Sequence, residues 1–363
     1  MNTVYLTNIP SPYRESFHEL MSNKLDKRYS VIYCSKIEPN RKWKFQLGNY
    51  KKIFLNIKPL NFQKRYIYFD FKIISTLNKI KPEVLILNGL TPVMILAFIW
   101  AKIFNCKVIA STDGSILTEK KQGLNFLQIL IRKVIYPNCD AYVGASNKTN
   151  SLFKSYNSKT NKKFFTSYYS YLTPTKKNIV PIQNRKYDII LCGQFIERKK
   201  FDFSLKVIEK LFYKNKNLKI KIVGSGPLKN RIISKIKKIG VNYCYRGFVN
   251  SNKIIKEFSS AKLFFFPTSS DGWGVVANES CLAGTPVITC NKAGAANELI
   301  LNNINGFVIN LNTNLWFEKI SRLLRNRSKL NLFSQNAYKR VKKFDSDTST
   351  NNTIKAINVA NLR

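Results

Sequence analysis

The chain has 363 residues, enough for two domains of ordinary size, and hydrophobic residues make up 44% of it, which excludes a disordered chain. The 61 Lys and Arg against 20 Asp and Glu give a formal charge of +41, a field that attracts nucleic acid or anionic lipid. The basic residues are spread along the whole chain beside abundant Asn, Ile and Phe, so codon bias toward A and T contributes to the charge. Docking on acidic phospholipid is the functional expectation that goes with it. Seven cysteines are scattered with no C-x-x-C pair, which reads as buried thiols in a reducing compartment. His18 is the one histidine that could add a nitrogen ligand, so neither a zinc site nor another metal is expected. The start MNTVYLTNIP lacks a basic region before an apolar core, so no signal peptide is expected. The longest apolar segment, Pro92 to Phe104, is too short to span a bilayer and carries Lys102, so it reads as a buried helix.

Thr3 to Asn8 reads as a first strand, followed by the proline-stiffened loop Ile9 to Arg14 and a helix to about Asn23 with Phe17, Leu20 and Met21 on one face. His18 on that helix reads as a surface or half-buried residue. Strands are expected at Tyr29 to Cys34 and Lys52 to Leu55, and a helix over Asp70 to Lys81, stopped by Pro82. Val84 to Leu87 is a buried strand and Pro92 to Phe104 its crossover helix. Lys107 to Ala110 is a strand ending at Thr112-Asp113-Gly114, then come a helix near Leu124 to Val134 and a strand at Ala141 to Gly144. This alternation predicts an α/β domain with a parallel sheet and right-handed crossovers.

Thr173 to Arg185 is polar, holds Pro174 and Pro181, and reads as the interdomain linker. A second alternating series follows. Its strands are Asp188 to Cys192, Leu218 to Val223, Tyr243 to Tyr245, Leu263 to Phe266, Val287 to Thr289 and Phe307 to Ile309. Helices lie between them. The one from Leu228 to Ile239 sets Leu228, Ile232, Ile233 and Ile236 on one face. Trp316 to Leu324 and Leu330 to Val341 are helical as well.

The chemistry concentrates in Leu263 to Ile300, a strand–loop–helix–strand unit whose loop sits at a strand's carboxyl end, where open parallel sheets bind ligands. Gly272 and Gly274 let a ligand reach the backbone. The amides at the start of the Val275 to Ala283 helix favour an anion. Asp271 precedes that helix and Glu279 lies just over one turn inside it, so both carboxylates are able to face one crevice. Carboxylates accept hydrogen bonds from pairs of sugar hydroxyls. Phosphate on amides and hydroxyls on carboxylates describe a nucleotide-sugar site. The spacing alone fits equally an ordinary helix start with one stabilising Asp and one surface Glu.

The segment DGWGVVANESCLAGTPVI, with seven residues between Asp271 and Glu279, resembles the E-x7-E signature of glycosyltransferase family 4, the retaining enzymes of GT-B fold known also as glycosyl transferases group 1. Asp271 is one methylene shorter than the usual Glu. Gly193 to Lys200 resembles the family's Gly-Arg-Leu-x-x-x-Lys-Gly element, with Lys199 on its phosphate-binding Lys, Gln194 for the Arg and Lys200 for the Gly. Arg198 is a candidate for the missing cation, although a solvated basic turn fits the same residues. Val223 to Pro227 resembles the family's strand-to-helix turn, which puts Gly224 beside the nucleotide base. Gly247-Phe248 and Asn305-Gly306-Phe307 read as turns, and Glu298 as a helix charge. In the first domain, Ile9 to Arg14 resembles the NIPSPYR-type loop of polysaccharide-assembly members. It makes Arg14 a cleft residue, and Asp113 another at its strand's carboxyl end.

The resemblance implies two Rossmann-like doubly wound parallel-sheet domains facing across a cleft. Residues 1–175 would bind acceptor, 176–345 the nucleotide sugar, and 346–363 would form a helix returning to the first domain. It implies hexosyl transfer with retention from a UDP- or GDP-sugar to a saccharide or lipid-linked saccharide, in bacterial surface polysaccharide or lipopolysaccharide assembly. The expected enzyme is cytoplasmic, peripheral on the inner face of the membrane, and works without metal, cofactor or nucleic acid. Lys199 and Arg198 would hold the leaving diphosphate, Glu279 the ribose and Asp271 the sugar hydroxyls. Gly193 and Gly272-Trp273-Gly274 would complete the donor contacts. A GT-B nucleotide-sugar epimerase, and a basic nucleic-acid-binding protein, are the alternatives.

Overall fold

In the computed structural model the described residues are 1–41, 43–62, 65–157, 161–168, 170 and 180–362. The chain divides into two compact units, one comprising Met1–Leu172 with Asp345–Arg363 and the other Thr173–Phe344.

The first unit is built on β1 (Thr3–Thr7), β2 (Tyr29–Tyr33), β3 (Lys51–Phe54), a small hairpin of β4 (Leu60–Phe62) and β5 (Arg65–Ile67), then β6 (Val84–Asn88), β7 (Lys107–Thr112), β8 (Ala141–Gly144) and β9 (Phe164–Thr166). The seven long-range strands form one parallel sheet in the order β3-β2-β1-β6-β7-β8-β9. The inner strands are buried on both faces, as near-continuous Val, Ile and Leu runs require. Helix Pro92–Ile103 uses Pro92 in its first turn, and helix Lys72–Ile80 ends where Lys81 turns left-handed before Pro82. The apolar segment at 92–104 is an ordinary crossover helix: Val93, Ala97 and Ala101 are buried in the sheet-facing core.

The sequence reading has no element at Ile116–Gln122, Asn147–Tyr156, β9 or the β4–β5 hairpin. The three strands have only three residues each, too few to show a period, and the two helices start on caps rather than on apolar period. Ser115 and Thr118 form a capping box, and Ser146 accepts from the Thr149 amide. The last helix, Ser346–Asn361, packs in the first unit against β7, β8, β9 and helix Glu15–Lys24. Its Ala356, Ile357 and Ala360 share a core with Val31, Ile86 and Val143.

The second unit carries β10 (Tyr187–Cys192), β11 (Lys219–Val223), β12 (Asn242–Tyr245), β13 (Ala261–Phe266), β14 (Val287–Thr289) and β15 (Gly306–Val308), all parallel, in the order β12-β11-β10-β13-β14-β15. Of the segment read as a linker, residues 173–179 lie outside the described residues. Its end is not linker at all. Arg185 is buried, and its guanidinium donates to the carbonyls of Val180, Ala261 and Ala283 and to the Thr285 hydroxyl, all within 2.9 Å. Burial lowers its pKa to about 10. A lone Arg among polar residues gave no sign of Ala261 and Ala283, whose carbonyls lie 76 and 98 residues further along the chain. All seven cysteines are thiols, and all but Cys244 are buried.

Candidate active site

The strand order fixes where a ligand fits. From β10 the chain runs outward through β11 and β12, then returns to place β13 on the opposite side of β10. The connections leaving β10 and β13 therefore diverge, and the carboxyl ends of these two strands border a crevice. Gly193 follows β10 directly, and Asp271 stands on the loop after β13. Gly193 and Asp271, both singled out by the sequence, thus flank one switch point.

After β10 the chain makes a single 3-10 turn, Glu197–Lys199, and leaves it through Lys200 in the left-handed region at φ 50°. The turn presents two cations to one carboxylate. Arg198 Nη1 lies 2.7 Å and Lys199 Nζ 2.6 Å from Asp271 Oδ2. Arg198 also donates to the Ser270 carbonyl, while the Ser269 amide and the Thr268 hydroxyl donate back to the Arg198 carbonyl. The β13 loop and the basic turn are therefore stitched together through both backbone and side chain. Lys199 Nζ further sits 4.9 Å from the centre of the Phe266 ring. Burial would raise the Asp271 pKa, but Lys199 and Arg198 outweigh it and hold the carboxyl below its ordinary value.

Glycines let the surrounding turns close. Gly224, after β11, has φ +136°, and a Cβ there would stand 1.9 Å from the Gly193 carbonyl oxygen. A Cβ on Gly226 would meet the Phe195 backbone at 2.6 Å. The turns after β10 and β11 are thus in direct backbone contact. Gly274, at φ +99°, starts helix Val275–Leu282 against the Phe266 ring and offers no capping side chain, so the helix keeps amide donors for an anion. Sequence reasoning missed Gly294. A Cβ on it would lie 1.9 Å from the Gly272 carbonyl, and its amide donates to the Asp271 carbonyl at 3.0 Å. Its signal is the small-residue run Ala293 to Ala296 just beyond the end of β14.

Glu279 is buried on the helix that Gly274 starts. Its charge and that of Lys199 both act on the Cys192 thiol at the end of β10: burial first and Glu279 next push that thiol up, and Lys199 opposes them. This places Glu279 and Lys199 about the same strand end. Trp273 is a different matter. Its side chain is buried, stacks on Phe344, and donates to the Asn278 Oδ1 at 2.5 Å, while Asn278 donates to the Phe344 carbonyl. The indole is a packing element that fixes the loop, and only its backbone is placed to serve a ligand.

The first unit has a switch point of its own between β1 and β6. A cavity of about 250 Å³ lies there, lined at the strand ends by Asn8, Asn88, Gly89 and Asp113 and on the loop side by Tyr13, Arg14, Arg41 and Trp43. Asp113 is exposed at its rim. Arg14 is buried, donates to the Ser167 hydroxyl at 2.7 Å, and packs over Phe17. Arg41 stacks on Trp43, which meets Tyr13 edge-on. Trp43 and Arg41 escaped the sequence reading because their segment has no period. His18 is fully buried, against the surface or half-buried expectation. Its Nδ1 is 2.7 Å from the Tyr29 hydroxyl within a shell of aromatic rings. Burial, with Arg14 nearby, holds it well below the usual imidazole pKa. The aromatic partners come from β1, β2 and the loop before β3, so helical position alone did not reveal them.

Among the described residues no group of three or more His, Cys, Asp or Glu is arranged to hold a metal ion. Residues 173–340 match the family model described as Glycosyl transferases group 1. An uncharacterized glycosyltransferase of Methanocaldococcus jannaschii is 27% identical over 129 residues, 35% of this chain and 33% of that protein. The poly(glycerol-phosphate) alpha-glucosyltransferase of Bacillus subtilis is 24% identical over 256 residues, 69% of this chain and 38% of that protein. The chain spans between 33% and 53% of the length of the first curated relatives it matches. Among solved structures, Anabaena HepE in complex with UDP and glucose superposes with a TM-score of 0.74 at 13% identity, covering 99% of both chains. The fold is that of the GT-B glycosyltransferases, α/β with a doubly wound parallel sheet in each unit.

Proposed function

We propose that this chain is a retaining glycosyltransferase of family 4 that moves a hexosyl group from a UDP- or GDP-sugar to a hydroxyl of a saccharide or lipid-linked saccharide. The observation that carries the reading is the cluster of Arg198, Lys199 and Asp271 at the second unit's switch point. Beside it lie the glycine turns, and Glu279 is buried on the helix beyond them. The likeness to glycosyltransferases, one of them solved with UDP and glucose, supports the donor class.

In this reading Lys199 and Arg198 take the diphosphate, and amides at Gly272 to Gly274 take its oxygens. Asp271 holds the two cations ready and accepts from hydroxyls of the donor sugar, while Glu279 accepts from the ribose. Gly193 and Gly224 leave room for phosphate and base. The sugar C1–O bond to the diphosphate breaks, the acceptor oxygen bonds C1 from the same face, and its proton passes to the leaving phosphate. The acceptor lies at the first unit's cavity, near Arg14 and Asp113. The setting is surface polysaccharide or lipopolysaccharide assembly at the anionic inner face of the membrane. Product stereochemistry by NMR tests the reading, and an inverted anomer rejects it. Sugar product formed without any acceptor would assign an epimerase instead.

A further inference from the structure

The cavity of the first unit is lined by side chains whose hydrogen bonds are incomplete. Tyr5 and Asn8 line it, and Tyr5 is only 2% exposed. Neither the Tyr5 hydroxyl nor the Asn8 Oδ1 has a hydrogen-bond partner among the described residues. A buried polar atom left in that state is costly, and a ligand hydroxyl removes the cost. The volume of about 250 Å³ is the room of roughly eight water molecules at about 30 Å³ each, which suits a single sugar residue.

Arg41 lines the same cavity and shows what else that residue carries. Its guanidinium lies 4.6 Å over the centre of the Trp43 ring, and Tyr13 meets that ring edge-on with centres 5.7 Å apart. Stacking therefore sets the plane of the fork. Its Nε is 3.6 Å from Glu38 Oε2, beyond hydrogen-bond length, and has no hydrogen-bond partner among the described residues. Glu38 is 8% exposed, and its other oxygen accepts from the Tyr68 hydroxyl at 3.0 Å. Both of its oxygens are thus engaged, and it anchors the loop from within. A half-buried guanidinium with its plane fixed, whose donors reach no described acceptor, suits the paired oxygens of a carboxylate or phosphate. Arg14 adds a second cation to the lining.

We propose, within the acceptor part of the function above and resting on it, that the accepting saccharide residue is acidic. Its carboxylate or phosphate docks on the Arg41 fork, and its hydroxyls bond Asn8 and Tyr5. The test is ligand-observed NMR titration of the full chain, without donor, using methyl glucoside, methyl glucuronide and methyl glucoside 6-phosphate. One anionic probe at least is expected to bind about tenfold or more tightly than the neutral one, and the tighter of the two tells carboxylate from phosphate. Arg41→Gln is expected to lose that margin, about tenfold or more. Arg41→Lys is expected to recover part of it, since the charge returns without the fork. Trp43→Ala, which frees the fork, is expected to cost about threefold. Lys199→Met, in the second unit, is expected to bind the probes as wild type, which separates this site from one for the donor's phosphates. Arg41 and Trp43 lie outside the hydrophobic cores, so melting is expected to stay unchanged. Equal binding of neutral and anionic probes, no binding of either anionic probe, or an unaltered Arg41→Gln overturns the proposal. So does an equal loss in Lys199→Met. None of these outcomes bears on product stereochemistry, by which the transferase reading stands or falls separately.

Discussion

Replacing Lys199 by Met removes one ammonium while keeping an apolar stem over the Phe266 ring. The structure sets the size of the effect. Lys199 Nζ and Asp271 Oδ2 are 2.6 Å apart, and each side chain is only 12% exposed. At an effective dielectric of about 20, two unit charges roughly 3 Å apart attract by about 5–6 kcal/mol before desolvation. Desolvation of both ions cancels most of that. A net charge-assisted hydrogen bond of about 1.5–3 kcal/mol remains for Lys199 to give either Asp271 or a leaving diphosphate. Arg198 still holds Asp271 at 2.7 Å, but its side chain is 40% exposed and screened, so it compensates in part. The expected outcome is a fall in kcat/KM for the nucleotide sugar of roughly ten- to hundredfold. The assay is initial-rate transfer by Lys199→Met, Asp271→Asn and the double variant, with melting curves to confirm folding. Because the two groups touch, the losses should be non-additive by about 0.5–3 kcal/mol. Strict additivity, or a Lys199→Met rate within twofold of wild type, refutes the view that Lys199 and Asp271 act as one device.

Glu279→Ala should abolish the thermal shift given by nucleotide sugars, the outcome that the proposed ribose contact of this buried carboxylate requires; an undiminished shift removes that role. Gly224→Ala should lower stability by about 2–4 kcal/mol, because a Cβ would meet the Gly193 carbonyl at 1.9 Å in a left-handed backbone. Gly247→Ala, at φ +66° with open space around it, should lose only about 1 kcal/mol by calorimetry. The depressed Asp271 pKa predicts acid sensitivity of one sign. The unfolded chain takes up this proton first, near about pH 3.9, so stability from this group is complete above that value and is lost as pH falls through the folded pKa. Asp271→Asn should melt with a flatter pH dependence in that acid range, and an unchanged profile would show that the pair does not stabilise the fold.

Long apolar runs such as Val84–Asn88 and Ala261–Phe266 announce buried parallel strands, because both faces of an inner strand need filling. Loops carry no such period, and the unforeseen features lie there or depend on distant partners. Trp43 and Arg41 build a wall of the first cavity from a segment with no pattern. Arg185 reads as polar linker until Val180, Ala261 and Ala283 bring their carbonyls to it. The candidate site divides in the same way. Asp271, Lys199 and Arg198 are marked by motif spacing, but their shared oxygen is a product of sheet order, which puts β10 beside β13. Trp273 lies inside the motif and still turns into the core, because Asn278 and Phe344 receive its ring.

The helix Ser346–Asn361 closes the core of the first unit although residues 173–344 form the other one. Synthesis runs from the amino end, so the first seven-stranded sheet is laid down with one strip of its surface bare. Val31, Ile86, Ile109 and Val143 wait there for Ala356, Ile357 and Ala360 until the whole second unit has been translated. The first unit cannot finish before the second has been made, and the second can fold while the first is still open. Until residues 346–361 leave the ribosome, the nascent chain therefore carries an amino-proximal domain whose apolar strip is uncovered.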